Sequence, residues 1–250
     1  MPFNNSPLPL RWYQRFGGVV GVGMIATILV LLISFGGLVW YYYSQIQSGN
    51  GQILFNNFYG GFTAADKKNE KIVDVDRSQV EVNTAPYIGT NNPKVTIVEF
   101  VDFKCPNCKA AAPILREVLQ KYSSKVKLII RHFPVESTHP GASQLAALSE
   151  CAYQQGWFWP LHDWLYDNQD KIGSNISTAD VDSLGSLFAW DKDKMRKCFV
   201  SNEAKITVNK DYADAYRFGV GGTPTFFING KKVEGVIPFE VWDNFLRNVK

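Results

Sequence analysis

The 250-residue sequence is poor in the residues that bind metals, with three histidines and four cysteines. His132, His139 and His162 do not have the spacing of a metal site, and we assign them to structural or surface positions. The formal net charge is +3, which is too small to indicate a nucleic-acid partner. The composition therefore gives no reason to expect a cofactor, a metal or a nucleic acid.

Charge is absent from a long N-terminal stretch, since no Asp, Glu, Lys or Arg occurs between Arg15 and Asp66. Residues 17–43 are almost wholly apolar, and about 20 such residues cross the core of a bilayer. The apolar part of a cleaved signal peptide, the alternative, is usually about 7 to 15 residues long. Arg11 and Arg15 precede the span, so the positive-inside rule places residues 1–16 in the cytoplasm. We predict a single-pass signal anchor in the cell (inner) membrane.

Residues 44–86 show no sustained periodicity and are predicted to form a tether. The folded domain is then residues 87–250, outside the cytoplasm. All four cysteines lie in this exported part, where disulfides form and persist.

The central motif joins an apolar strand pattern, a Cys-X-X-Cys and a helical pattern. Residues 95–103 are rich in Val, Ile and Phe, which is typical of a strand buried on both faces. A helix is predicted to begin at Pro106, so Cys105 lies at a helix N-terminus, where N–H groups and the helix dipole stabilise a thiolate. Cys108, one turn further, is the natural resolving thiol. The pair can cycle between dithiol and disulfide through a mixed disulfide on Cys105.

The remaining pattern is a strand, a helical block, a hairpin and a helix. A second strand is predicted at residues 126–132, parallel to the first. Helices are predicted at residues 141–155, 158–168, from a capping box at 177–180, 192–200 and 203–218. A hairpin at 225–233 turns at Asn229-Gly230, and a closing helix from Pro238 buries Phe239, Trp242, Phe245 and Leu246. The aromatic residues of the block, Tyr166 among them, are interpreted as core.

Cys151 and Cys198 fall in two helices of the helical block. Because the domain is exported, we expect them to form a structural disulfide. Two unpaired buried cysteines, a second redox pair and a four-cysteine zinc site with Cys105 and Cys108 are the alternatives.

Three features together resemble the thioredoxin superfamily, and within it the DsbA-like thiol:disulfide oxidoreductases. They are the strand before Cys105-Pro-Asn-Cys108, the helical block, and Gly222-Thr-Pro-Thr225 before the hairpin. The resemblance covers about residues 87–250 and implies an α/β thioredoxin fold with a helical insertion at about 135–218. It also implies that Pro224 is a cis-proline against the active-site disulfide and that Thr223 presents its backbone to bound peptide. Pro106 and Asn107 would tune the redox poise.

Two acidic residues accompany the strand. Glu99 lies six residues before Cys105, as in the DsbA-like pattern, and burial would raise its pKa so that it could exchange a proton with Cys108. The alternative is a plain salt bridge of Glu99 with Lys127 or Arg131. Asp102, nearer the strand end, is predicted to be solvated.

These features predict a membrane-anchored enzyme that forms disulfides in exported proteins with free thiols. The resemblance implies reoxidation by a quinone-linked membrane partner. One alternative is a disulfide isomerase or reductase, and another is a non-enzymatic module that binds a metal or a client through Cys105 and Cys108.

Overall fold

The computed structural model describes residues 12–47 and 75–249. The chain divides into two compact units, Met1–Glu70 and Lys71–Lys250. Most of the predicted tether, residues 48–74, and most of the predicted cytoplasmic segment, residues 1–11, lie outside the described residues.

The first unit contains one long helix, α1 (Trp12–Gln47), which covers the predicted span at residues 17–43 and extends beyond both of its ends. Its segment Met24–Tyr41 has a mean hydropathy of 2.2. Helix α1 is thus long and apolar enough to cross a membrane.

The second unit is built on a five-stranded mixed sheet. Its strands are β1 (Tyr87–Gly89), β2 (Val95–Val101), β3 (Val126–His132), β4 (Thr225–Ile228) and β5 (Lys231–Glu234), in the spatial order β1-β3-β2-β4-β5. Strand β2 is parallel to β3 and antiparallel to β4. All seven residues of β2 are buried, as expected of an apolar strand at the centre of a sheet.

Helices cover the sheet and form the insertion. They are α2 (Arg77–Val80), α3 (Pro106–Tyr122), α4 (Ala142–Gln154), α5 (Phe158–Asp167), a 3₁₀ helix (Gln169–Lys171), α6 (Thr178–Phe188), α7 (Lys192–Val200), α8 (Glu203–Arg217) and α9 (Phe239–Asn248). The capping box of α6 is present as predicted, with Ser177 and Asp180 bonded reciprocally. The expected α/β thioredoxin fold with a helical insertion is confirmed.

Residues 75–86, assigned to the tether from the sequence, pack against the sheet instead. The Val75 N–H donates to the Gly230 carbonyl oxygen at 3.1 Å. Val80 is fully buried and Ala85 nearly so, in a cluster with Phe100 of β2. These apolar side chains cover one face of the sheet, so the folded unit begins before Tyr87.

The closing helix α9 buries one face against the other side of the sheet. Trp242 and Leu246 are buried, and the Trp242 ring meets the Phe226 ring edge-on at 5.7 Å between centroids. Phe239 is partly buried, whereas Phe245 is 43% exposed, so its predicted burial is wrong. Phe245 lies at the edge of the apolar stripe of α9, next to the side of the helix that faces solvent.

Two connections stabilise the insertion. Cys151 of α4 and Cys198 of α7 form a disulfide. This pairing leaves Cys105 and Cys108 without the two further thiolates of a four-cysteine zinc site. At the sheet, the fully buried Arg131 of β3 forms ion pairs with Asp211 and Asp214 of α8 at 2.7 Å and 2.6 Å.

We expect the double variant Cys151→Ala/Cys198→Ala to lose about 4 kcal/mol of unfolding free energy, because the cross-link closes a loop with a sequence separation of 47 residues. Urea unfolding followed by circular dichroism measures the loss. As the control, both proteins are unfolded under strong reductant, where neither has the cross-link and the two should unfold together. Unfolding of the variant at the wild-type urea concentration would contradict the stabilising role.

Candidate active site

The two central thiols lie where β2 passes into α3. Cys105 is the N-cap of α3, with extended backbone angles (φ −77°, ψ 122°), and Pro106 occupies the first helical position, where its missing N–H costs nothing. Cys105 is 5% exposed and Cys108 is fully buried, and both are free thiols. The chain thus presents one sulfur at the edge of the surface and holds the other inside.

The Cys105 sulfur is surrounded by hydrogen-bond donors. The Cys108 thiol, the Thr223 side chain and the backbone N–H groups of Cys108 and Asn107 lower the pKa of Cys105 to about 5, against the opposing effect of burial. The helix N-terminus supplies these N–H groups because they have no partner within the helix. Cys105 is therefore a thiolate at neutral pH.

Cys108 has the opposite electrostatics. Burial raises the pKa of its thiol well above 9, and the neighbouring Cys105 and the charge of Glu99 raise it further. Cys108 is therefore a protonated thiol that donates to the Cys105 thiolate. Two chemically identical side chains separated by one helical turn thus differ in charge at neutral pH.

The segment before β4 faces Cys105. The Thr223–Pro224 peptide bond is cis, and the Thr223 carbonyl oxygen lies 3.3 Å from the Cys105 sulfur. The Thr225 hydroxyl donates to the Gly222 carbonyl oxygen at 2.7 Å, which fixes the turn. The structure thus brings Thr223 and Pro224 to the cysteine pair, although Thr223 lies 118 residues from Cys105 in the sequence.

Glu99 lies on β2 behind the cysteine pair. Its side chain is 2% exposed, and burial raises its pKa to about 8. Arg131, one of the two salt-bridge partners considered from the sequence, pairs with Asp211 and Asp214 instead. Within the described part of the chain, no ion pair of Glu99 is present, so its carboxyl group is protonated at neutral pH.

Asp102 is buried, not solvated as predicted. It is 1% exposed, and one carboxylate oxygen accepts the Lys104 N–H at 2.7 Å. The other accepts the Val135 N–H at 2.8 Å and lies 2.8 Å from His139 Nδ1. Three donors replace the water that a carboxylate loses on burial, so Asp102 braces the loop between β2 and Cys105.

Two residues of the insertion reach the site without a sequence signal. Tyr166 of α5, interpreted as core, is 3% exposed, and its hydroxyl has no hydrogen-bond partner in the described ranges. Burial and the charges of Cys108 and Glu99 raise its pKa well above 10. The Gln169 side chain donates to the carbonyl oxygens of Phe103 and Cys105, each at 3.0 Å.

The site residues predicted from the sequence thus lie in two separate regions of the structure. The β2–α3 junction and the turn before β4 bring together Glu99, Cys105, Pro106, Asn107, Cys108, Thr223 and Pro224. Cys151 and Cys198 are paired elsewhere, between α4 and α7. In residues 12–47 and 75–249, no three His, Cys, Asp or Glu side chains are grouped as metal ligands.

Comparison with known proteins identifies one family, similar antiporter sequences and similar solved structures. A family model described as thioredoxin matches residues 81–248. The Na⁺/H⁺ antiporter NhaA 3 of Salinispora tropica is 36% identical over 163 residues, which are 65% of this chain and 23% of the antiporter. The chain thus spans about a quarter of the length of this curated relative.

Solved structures share the fold of the second unit. A thioredoxin-like oxidoreductase from Silicibacter pomeroyi has 22% identity and a TM-score of 0.59, covering 69% of this chain and 96% of that one. Wolbachia pipientis alpha-DsbA1 has 18% identity and a TM-score of 0.60, covering 67% and 92%. At these identities the likeness concerns the fold.

We expect the Cys105 thiol of the reduced protein to titrate near pH 5, as followed by the ultraviolet absorption of the thiolate. Because the Cys108 thiol is the main donor, Cys108→Ala should raise this pKa, whereas Cys108→Ser keeps a donor and should raise it less. Equal titration midpoints in the two variants would contradict the assignment of Cys108 as the donor.

The buried Glu99 should make the stability of the oxidised protein depend on pH. Its pKa is about 8 in the folded state against an ordinary value of 4.5, so folding takes up a proton between these values. Stability from this group is full below pH 4.5 and falls as the pH rises to about 8. Glu99→Gln removes this fall. The unfolding free energy of the variant, relative to that of the wild type, should therefore rise by a few kcal/mol across this range.

Urea unfolding of both oxidised proteins at several pH values measures this difference. The oxidised form is chosen because its paired cysteines do not titrate. Parallel stability profiles for wild type and Glu99→Gln would show that Glu99 does not carry the raised pKa.

Proposed function

The chain belongs to the thioredoxin family, and from that premise we propose that it is a membrane-anchored thiol:disulfide oxidoreductase that forms disulfides in exported proteins. Its fold is that of the DsbA-like thiol:disulfide oxidoreductases. The observation that carries the proposal is the opposed pKa shift of the two free thiols, downward for Cys105 and upward for Cys108.

The proposed reaction begins with the Cys105–Cys108 disulfide. A substrate thiolate attacks the Cys105 sulfur, a new disulfide forms between them, and Cys108 leaves with the electron pair. A second substrate thiolate then attacks the substrate sulfur of this mixed disulfide, and Cys105 leaves as a thiolate. The substrate loses two electrons to the enzyme and gains one disulfide.

The direction follows from the leaving group of the second step. A thiol of low pKa leaves readily, and stabilising its thiolate stabilises the reduced enzyme, so the disulfide becomes a stronger oxidant. The pKa of Cys105, about 5, thus favours oxidation of substrates over their reduction. The donors around Cys105, including the N–H of Asn107, set this poise, and Pro106 fixes the first helical turn.

Glu99 is the proposed proton donor to Cys108. A Cys108 thiolate is unstable in its buried position, where the pKa of the thiol is well above 9. The Glu99 carboxyl group, with a pKa of about 8, is protonated at neutral pH, so proton transfer to Cys108 is downhill. The Glu99 carboxylate returns to its neutral form by taking a proton from solvent.

Thr223 and Pro224 are the proposed substrate-binding residues. The Thr223 carbonyl oxygen lies 3.3 Å from the sulfur that a substrate must reach. Peptide running past Cys105 therefore meets this backbone, and main-chain hydrogen bonds to it would position clients of many sequences.

We place the enzyme at the membrane because α1 is apolar enough to cross one. Arg11 and Arg15 before the apolar run favour a cytoplasmic N-terminus and an exported catalytic domain. Each turnover leaves a dithiol, so an electron acceptor must remove two electrons, and a quinone-linked membrane protein is the proposed partner. The antiporter activity named for the Salinispora relative belongs to a protein of which 23% is shared, and the present proposal rests on the cysteine pair.

We expect the full-length chain in detergent to equilibrate with glutathione at an oxidising potential near −120 mV, as read by alkylation of Cys105 and Cys108. Cys105→Ser should abolish oxidation of a reduced test protein, because it removes the attacked sulfur. Cys108→Ser cannot form the active-site disulfide, so it should lose this oxidation as well. With oxidised glutathione, its Cys105 should displace one glutathione thiolate and keep the other as a mixed disulfide, since no second thiol resolves it within the active site.

Three measurements distinguish the oxidase from the alternative functions. A potential near −270 mV would indicate a reductase. Dimerisation with activity on scrambled disulfides would indicate an isomerase. Stoichiometric metal that blocks alkylation, with no reversible redox transition, would indicate a binding module.

A further inference from the structure

The chain between α5 and α6 contacts residues 102–105, the cysteine loop, through three residues. Gln169 donates to the carbonyl oxygens of Phe103 and Cys105. The Lys104 ammonium donates to the carbonyl oxygens of Ile172 and Gly173 at 2.7 Å and 3.0 Å. These bonds join residues 169–173 of the insertion to the cysteine loop.

We propose that Gln169 is a positioning residue for the cysteine chemistry, holding the two carbonyl groups on either side of Lys104 and so fixing Cys105 at the N-terminus of α3. This role lies in the helical insertion, outside the sheet and α3. The inference rests on the proposed function in that Cys105 is taken as the reacting sulfur.

The hydrogen-bond geometry defines which end of the Gln169 amide faces the loop. A side-chain amide carries two N–H donors on its nitrogen, and the two loop carbonyl groups each accept from this nitrogen at 3.0 Å. The reverse orientation would place the amide oxygen against two carbonyl oxygens. Gln169 is 7% exposed, so water does not replace these bonds readily.

The second held carbonyl group belongs to the N-cap itself. The Cys105 carbonyl oxygen also accepts the Lys109 N–H at 3.1 Å, the first bond of the helical ladder. Its direction therefore sets how α3 begins, and with it how the N–H groups of Asn107 and Cys108 face the Cys105 sulfur. A donor on each carbonyl oxygen also reduces the negative potential near a thiolate.

The loop is held from its other side as well. Asp102 accepts the Lys104 N–H at 2.7 Å, and the Cys105 N–H donates to the Asp102 carbonyl oxygen at 3.1 Å. The N–H groups of the loop thus bond to Asp102, whereas two of its carbonyl groups bond to Gln169. The insertion therefore completes a set of restraints that the sheet supplies only in part.

Gln169→Met tests the proposal, because methionine keeps the length of the side chain and removes both donors. Gln155→Met is the matched control in the same insertion, since among the described residues the Gln155 amide bonds only to the Asp191 backbone, at 2.9 Å and 3.4 Å. Both variants are made in the full-length chain. The readouts are the titration midpoint of Cys105 and the equilibrium with glutathione.

We expect Gln169→Met to raise the Cys105 midpoint by about half a unit to one unit. Its equilibrium constant for oxidising glutathione should fall about three- to tenfold. Gln155→Met should leave both unchanged, even if it unfolds at a lower temperature. A wild-type midpoint and a wild-type equilibrium in Gln169→Met would overturn the proposal.

Gln169→Asn decides the question if the methionine variant does not fold. Asparagine is one methylene shorter and remains polar, so it reaches one carbonyl group at most, and an upward shift supports the proposal whereas no shift overturns it. The titration needs no substrate, so it separates the two proposals. A shifted midpoint with an inactive wild type would refute the oxidase and retain the role of Gln169.

Discussion

The dry space behind Cys105 is the constraint on which the site depends. Strand β2 and Asp102, the residue that follows it, are buried, so a carboxyl group in this stretch must either find hydrogen-bond donors or lose its charge. Asp102 and Glu99 show the two outcomes. Asp102 accepts hydrogen bonds from Lys104, Val135 and His139, whereas burial raises the pKa of Glu99 to about 8. Within four residues, the chain thus carries a carboxyl group with three hydrogen-bond partners, which braces the loop, and a neutral carboxyl group behind Cys108.

The insertion is joined to the sheet by groups that tolerate little displacement. Arg131 is fully buried and pairs with both Asp211 and Asp214, and Asp211 also accepts the His132 N–H at 3.0 Å. Separating α8 from β3 would leave buried charges without partners, which costs several kcal/mol. The insertion therefore presents Gln169 to the cysteine loop from a fixed position. Its helices belong to the site, not merely to its surroundings.

The sequence predicts the elements well, and it predicts the partners of buried polar groups poorly. The strand and helix at the Cys-X-X-Cys motif follow from local periodicity, and β2 and β3 lie where the apolar runs place them. The position of Asp102 near the strand end predicts a solvated side chain, and the local pattern misses its partners Val135 and His139, which are 33 and 37 residues away. Gln169 lies 64 residues from Cys105 in a short polar stretch with no motif. Such contacts depend on how the insertion folds back, which local patterns do not encode.

The two raised pKa values behind Cys105 have one physical origin, and the proposed reaction depends on that. Burial disfavours the charged forms of both Cys108 and Glu99. The interior that makes a Cys108 thiolate a poor leaving group also keeps the Glu99 carboxyl group protonated, so the donor is present when the thiolate needs it. A wetter site would ease the departure of Cys108 but would leave Glu99 ionised and without a proton to give. Burial thus disfavours the Cys108 thiolate, and it also keeps on Glu99 the proton that neutralises this thiolate.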